Sequence, residues 1–266
     1  VSGPPSSPGS GDAVSGPPSS PGPGGAVSGG DAADPRDRAP QRVLPLVVRV
    51  ERVDPPARTD ALEAAAVAVL TLLADPRSAP ASDHAGEGEP AGEWAGAVRE
   101  WTDARIRKVV RRARGAEWRR AAALPGITVT HRTAEVRVFP PVPLDGWPRD
   151  LARLQVSGTD LADPALPPPP VPGGPVLWLN PHLELTAGKA MAQVGHAAQL
   201  GWNALGPADR DRWRAAGFAL AVRTAPPAGW DRLVAAGLPL VRDAGFTEIA
   251  PGTCTAVADH PALRRA

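Results

Sequence analysis

The sequence predicts an α/β protein. Its C-terminal third reads as a small mixed β-sheet flanked by helices, preceded by an α+β accessory domain and a disordered N-terminal tail. Three observations predict this. From Pro175 onward, short apolar runs and longer Ala-rich runs follow the order β-α-α-β-α-β-β, an order that builds a mixed sheet covered by helices. Residues 42–160 carry a strand, helical stretches and paired strands of their own. The chain also holds 34 Pro and 28 Gly in 266 residues, more than a uniform globular fold uses. The expected layout is a Pro/Gly/Ser-rich tail at 1–41, an accessory domain with a basic helix at 42–160, a Pro-rich linker at 161–174 and a compact domain at 175–266.

In the tail, VSGPPSSPG occurs at Val1 and again at Val14. Such a segment has too little apolar area to offset its chain entropy, so disorder is expected. A docking role is conceivable, but a drifting low-complexity extension accounts for it more simply. The first 30 residues lack the basic start and apolar run of a secretory signal. The longest apolar stretch, Ala64–Ala74, is far short of the roughly 20 residues of a membrane span. Cys254 is alone, which leaves no internal disulfide framework or zinc cluster. A cytoplasmic protein with no membrane partner is the expectation. The formal charge of +1 does not decide for or against a nucleic acid, because local patches do.

Val43–Val50 is rich in β-branched residues and reads as a strand, with Pro45 near its start. Asp60 followed by Glu63 resembles a capping box, and Ala61–Ala74 then reads as a buried helix stopped by Asp75-Pro76. Residues 76–92 are polar and loop-like. Trp94–Arg114 reads as one long helix, because Trp94, Val98, Trp101, Ile106, Val109 and Val110 broadly follow a helical repeat. Ile127–Thr130 and Glu135–Phe139 alternate as a hairpin would.

In the C-terminal part, Val176–Asn180 is a short buried strand and Lys189–Leu205 a helix. Pro207 opens a further helix that stops at Gly217. Phe218–Val222 reads as a strand, Trp230–Ala236 as a short helix closed by Gly237, and Leu238–Val241 and Thr253–Ala258 as the last strands.

Two segments carry chemistry. In Ala187-Gly-Lys-Ala-Met-Ala-Gln-Val-Gly-His-Ala-Ala198, residues Lys189, Gln193 and His196 stand at i, i+4 and i+7 and share one helical face. In Arg242-Asp-Ala-Gly-Phe-Thr-Glu-Ile-Ala-Pro-Gly-Thr-Cys-Thr255, Gly245 and Gly252 permit a tight path between two strands, while Asp243, Thr247 and Thr255 supply polar groups. Each has a plainer account: His196 as a satisfied structural histidine, Lys189 as a solvated residue at a helix start, Asp243 and the threonines as partners of turn amides. Cys254 is expected to pack as a small apolar group, and His182 and His260 to lie at the surface.

The pair GKAMAQVGHA and DAGFTEIAPGTCT resembles the two signature segments of type 2 peptidyl-tRNA hydrolases, in order, spacing and surrounding elements. The resemblance covers the chain from about Pro175 to its end. It implies hydrolysis of the ester joining a peptide to the terminal ribose of tRNA, with no metal or other cofactor. It marks Lys189, Asp243, His196 and Thr255 as catalytic and Gln193 and Thr247 as substrate-binding. On this reading Asp243 orients or deprotonates water, with Thr255 as its link, Lys189 stabilises an oxyanion or phosphate, and His196 holds or shuttles a proton. Asn180-Pro-His-Leu-Glu departs from the Arg-x-Asp-Leu that the family would place there. A homodimer stays open as an assembly.

A further feature is Arg105-Ile-Arg-Lys-Val-Val-Arg-Arg-Ala-Arg114, continued by Arg119 and Arg120. On the expected helix, Arg105, Lys108 and Arg112 would spread over adjoining rows and contact tRNA phosphates; a solvated helix face is the plainer account. The rival to an enzyme is an RNA- or ribosome-binding module that keeps the fold without turnover. Residues 42–155 loosely echo the order of the C-terminal part, without its Lys-Gln-His stripe; a decayed duplicate and an unrelated accessory domain both fit.

Overall fold

The computed structural model describes residues 35–81, 90–243 and 249–264. In chain order the N-terminal half holds β1 (Arg42–Arg49), α1 (Arg58–Leu73), α2 (Ala95–Asp103), β2 (Arg107–Ala113), α3 (Gly115–Ala122), β3 (Ile127–His131), β4 (Ala134–Val138), β5 (Val142–Pro143) and α4 (Arg149–Ala152). The C-terminal half holds β6 (Val176–Leu179), α5 (Ala187–Ala204), α6 (Pro207–Ala215), β7 (Ala221–Thr224), α7 (Pro227–Val234), β8 (Leu240–Arg242) and β9 (Cys254–Asp259). The α/β class and the hairpin at β3 and β4 agree with expectation. The predicted tail lies, up to Asp34, outside the described residues. Among the described residues no helix is long and apolar enough to cross a membrane.

Three local expectations are corrected. The predicted helix over Trp94–Arg114 is instead α2 followed by β2. From Arg107 the exposure alternates, with Lys108 and Val110 buried between partly exposed neighbours. That is the two-residue period of a strand, and the Ile and Val side chains suit it. Parallel pairing with β1, Val43 opposite Arg107 through Arg49 opposite Ala113, overrides the weak helical pattern. The basic run therefore lies on a sheet edge, and the helical rows proposed for it do not exist. Likewise, Asp60 and Glu63 lie inside α1 rather than capping it. The helix start is served from a distance, by Asp163 Oδ1 accepting from Thr59 N at 2.7 Å. The strand expected at Phe218–Val222 begins only at Ala221, because Gly217 (φ 64°) and Phe218 (φ 57°) turn the chain out of α6 first.

The two halves share one topology. The first sheet runs β2-β1-β4-β3, with β5 added on β1, and the second runs β7-β6-β9-β8. In each, the first strand pairs parallel with the second and antiparallel with the fourth, and the third and fourth pair antiparallel. Residues 34–266 nevertheless form one compact unit, and α1 packs along α5 as the most extensive contact between elements. One apolar cluster runs through both halves, from Leu44, Leu46 and Leu70 to Met191, Val194 and Val222. Gly195 allows this approach: a Cβ there would stand 3.2 Å from Val69 Cγ2 and 3.1 Å from Lys108 Cδ. The result places β2, the edge strand of the first sheet, against the helix that bears the Lys-Gln-His stripe.

Candidate functional site

Between β2, the Lys-Gln-His stripe of α5 and the end of β8 lies a cleft of about 1270 Å³. Segment 155–160 forms its remaining wall. Lys189, Gln193 and His196 project into it from successive turns of α5, as helical spacing requires. Asp243 reaches it from the end of β8, where the pairing with β9 shifts register between Val241 and Arg242. Such a bulge re-aims the side chains that follow it. The turn then pins Asp243 in place: its N–H donates to Thr253 O at 2.9 Å, and its carbonyl accepts from Gly252 N at 2.8 Å. Gly252 stands at φ 81°, a backbone state that side chains resist.

Thr255 does not reach the cleft. It is fully buried under α5, where its hydroxyl donates to Gln193 Oε1 at 2.6 Å. Its place is therefore behind Gln193, fixing the amide that the cleft presents. Thr247 lies outside the described residues. Arg105 and Lys108 line the cleft and Arg112 does not. Arg112 holds the wall instead, its Nε donating to Ser157 O at 2.9 Å and its Nη2 to Gln155 Oε1. Arg105 forms a two-pronged ion pair with Asp37, at 2.8 and 2.9 Å.

Sequence reasoning missed how the first half enters the site. Lys108 is buried, and its Nζ lies 3.1 Å from His196 Nδ1 and 2.6 Å from Gln199 Oε1, with the Trp101 ring centroid 4.7 Å away. Burial pushes the Lys108 ammonium well below its usual range. Burial, and then the charge of Lys108, push His196 well below the ordinary imidazole value. The signal available was Gln199, three residues after His196 and so one turn along the same helix. Thr159 was missed too. Its Oγ1 accepts from Gly188 N at 3.0 Å and its carbonyl from Ala187 N at 3.2 Å, closing the wall onto the start of α5. A Cβ at Gly188 would stand 2.7 Å from that Oγ1, which explains the glycine beside Lys189.

Asn180, where the family resemblance breaks, is buried and builds the turn after β6. Its Nδ2 donates to Cys254 O at 2.8 Å and its Oδ1 accepts from His182 N at 2.8 Å. Cys254 is buried, and burial raises its thiol pKa, as suits a packing residue. His182 is exposed; His260 is half-buried against the Trp213 ring, with centroids 4.9 Å apart.

Away from the cleft, the ligand atoms of Asp60, Glu63 and His131 lie within 4.8 Å of one another, a spacing open to a metal ion. Their oxygens are already engaged. Arg132 Nη1 donates to Asp60 at 3.1 Å and to Glu63 at 2.9 Å, and Arg223 Nη1 donates to Glu63 at 2.8 Å. Two guanidinium groups on the cluster oppose a second cation there.

The cleft thus gathers an ammonium, an amide, an imidazole and a carboxylate around one space. Lys189 in the first turn of an 18-residue helix adds its charge to the positive end of the helix dipole. That combination can hold an anion or stabilise a developing oxyanion while a carboxylate orients water. No protein-family model and no curated protein matches this chain.

Proposed function

We propose that the cleft hydrolyses the ester bond of peptidyl-tRNA, releasing peptide and tRNA in the cytoplasm without a metal. The observation that carries this reading is the convergence of Lys189, Gln193 and His196 with Asp243. They belong to separate segments, each resembling a signature of that family, and one cleft receives both. Asp243 orients a water molecule toward the ester carbonyl carbon. Lys189, with the start of α5, offsets the charge that develops on the carbonyl oxygen. Gln193, held by Thr255, supplies an amide to the substrate. As water adds, the bond from the carbonyl carbon to the ribose oxygen breaks. One proton of the water ends on that oxygen, leaving a free ribose hydroxyl and a peptide acid. Arg105 and Arg242 at the rim suit the phosphates of an acceptor stem.

The test is hydrolysis of an N-blocked aminoacyl-tRNA by the purified chain. Turnover is expected for the native protein, with a loss of about 10²-fold or more in Lys189→Ala and Asp243→Asn. Unchanged rates in both variants would remove the assignment. A second reading, an RNA-binding module without turnover, draws on Asn180, which the turn consumes where the family places a different sequence. Salt-sensitive tRNA binding with no hydrolysis by the native chain would favour it.

A further inference from the structure

The contact between Lys108 and His196 joins the two halves of the chain at the wall of the cleft, and the hydrolysis outlined above leaves Lys108 unused. Its geometry limits what the imidazole can do. An ammonium has donors only, and a neutral amine has one lone pair beside two N–H groups, which suffice for both Gln199 and His196. One N–H is committed to Gln199 Oε1 at 2.6 Å. Gln199 is fully buried, and its Oε1 is the end that faces Lys108. The Trp101 ring covers the amine from another side, and Trp101 is itself tied down by Nε1 donating to Arg107 O at 2.9 Å. Lys108 Nζ is thus held in place beside Nδ1 of His196. Gly195, one residue before His196, clears the path for its stem.

We infer that Lys108 is a positioning residue that the N-terminal half supplies to the cleft: it donates to His196 Nδ1, so that the imidazole presents Nε2–H to the substrate. A neutral imidazole carries one ring proton, and an acceptor at Nδ1 places that proton on Nε2. No protein group among the described residues engages Nε2, and His196 lines the cleft. In the hydrolysis proposed above, on which this chemistry rests, His196 is a hydrogen-bond donor to the ester oxygen and keeps its proton. The base is then elsewhere; of the two aspartates that line the cleft, Asp160 and Asp243, the latter is the one that the resemblance assigns to orienting water.

The ring nitrogens of His196 report this directly. In the ¹⁵N-labelled full chain, long-range correlation to the ring carbon protons distinguishes a protonated nitrogen from a bare one. The His196 signals are identified by their loss in His196→Gln. The expected spectrum has a bare Nδ1 and a protonated Nε2; a proton on Nδ1 overturns the inference. Because the native protein is the sample, this result stands whether or not the chain turns over peptidyl-tRNA. Where turnover is present, Lys108→Met is expected to lower kcat by about tenfold to 10²-fold with KM little changed, the mark of a disturbed donor. A rise in KM with kcat intact, together with a shallower salt dependence, would make Lys108 a phosphate contact and overturn the positioning role. If Lys108→Met fails to fold, the native spectrum decides alone.

Discussion

His196 shows how one residue ties the chemistry of the cleft to stability. Burial, then the nearby Lys108, depress its pKa, so the folded protein resists protonating it. The unfolded chain does not: its histidine takes a proton near the ordinary value of about 6.5. Above that pH both states are neutral. As pH falls below it, only the unfolded state gains the proton, so stability is lost on the acid side. His260 is depressed by burial and acts with the same sign. The lowered pKa of Glu63 acts only further down, as pH falls toward the carboxylate range. The melting temperature is therefore expected to fall between pH 7 and pH 5, and less steeply in His196→Gln. Equal slopes for the two proteins would show that His196 titrates normally. The stripe of Lys189, Gln193 and His196 was legible in the sequence, because helical spacing alone puts the three on one face. The burial of Thr255 and Lys108 was not: nothing local tells a strand which of its residues another element will cover.

Glu63 decides how the elements are held across the two halves. It is fully buried on α1, yet it accepts from His131 at the end of β3, from the turn residue Arg132, and from Val222 N and Arg223 on β7. Burial alone would raise its pKa, but the hydrogen bonds from His131, Val222 N and Arg223, with the charge of Arg132, bring it below the usual value. By the shared topology, α1, β3 and β7 correspond to α5, β8 and β2, the three elements that surround the cleft. The first copy of that arrangement is filled by charged groups that satisfy one another, while the second stays open. Removing one partner of a buried ion pair typically costs about 3–5 kcal/mol, since the others are left uncompensated. Glu63→Ala is expected to lose that much in a denaturant titration. A loss below about 1 kcal/mol would mean that water or Asp60 replaces the carboxylate. The sequence reading took Glu63 for half of a capping box. A pattern of four residues has no means of showing that its partner lies 160 positions away on β7.

At the scale of the whole molecule, the two halves are not separable in the way that their composition suggests. The element order was legible in the C-terminal half, with β7 and α7 displaced by a few residues, whereas in the N-terminal half β2 lay hidden in an expected helix. The packing of one half on the other was not legible, because Ala-rich helices such as α1 and α5 show little contrast between their faces. That lack of contrast has a structural meaning. A helix resting on one sheet keeps a polar outer face, whereas one that is apolar on all sides must be enclosed. Twelve residues of α1 are buried, from Thr59 to Leu72, and α5 is likewise buried from Ala187 to Gly201 except along the cleft. Each covers the other. A chain cut to residues 161–266 would expose the face of α5 that carries Val194 and Gly195, and it would lose Lys108 from the wall of the cleft. We expect the intact protein to unfold in one transition, with the same midpoint by tryptophan fluorescence and by far-ultraviolet circular dichroism. The cut chain is expected to lack a sharp transition and to associate through α5. Two separate transitions in the intact protein, or a sharply melting monomer from the cut chain, would show instead that each half holds its own core and that their contact adds little to either.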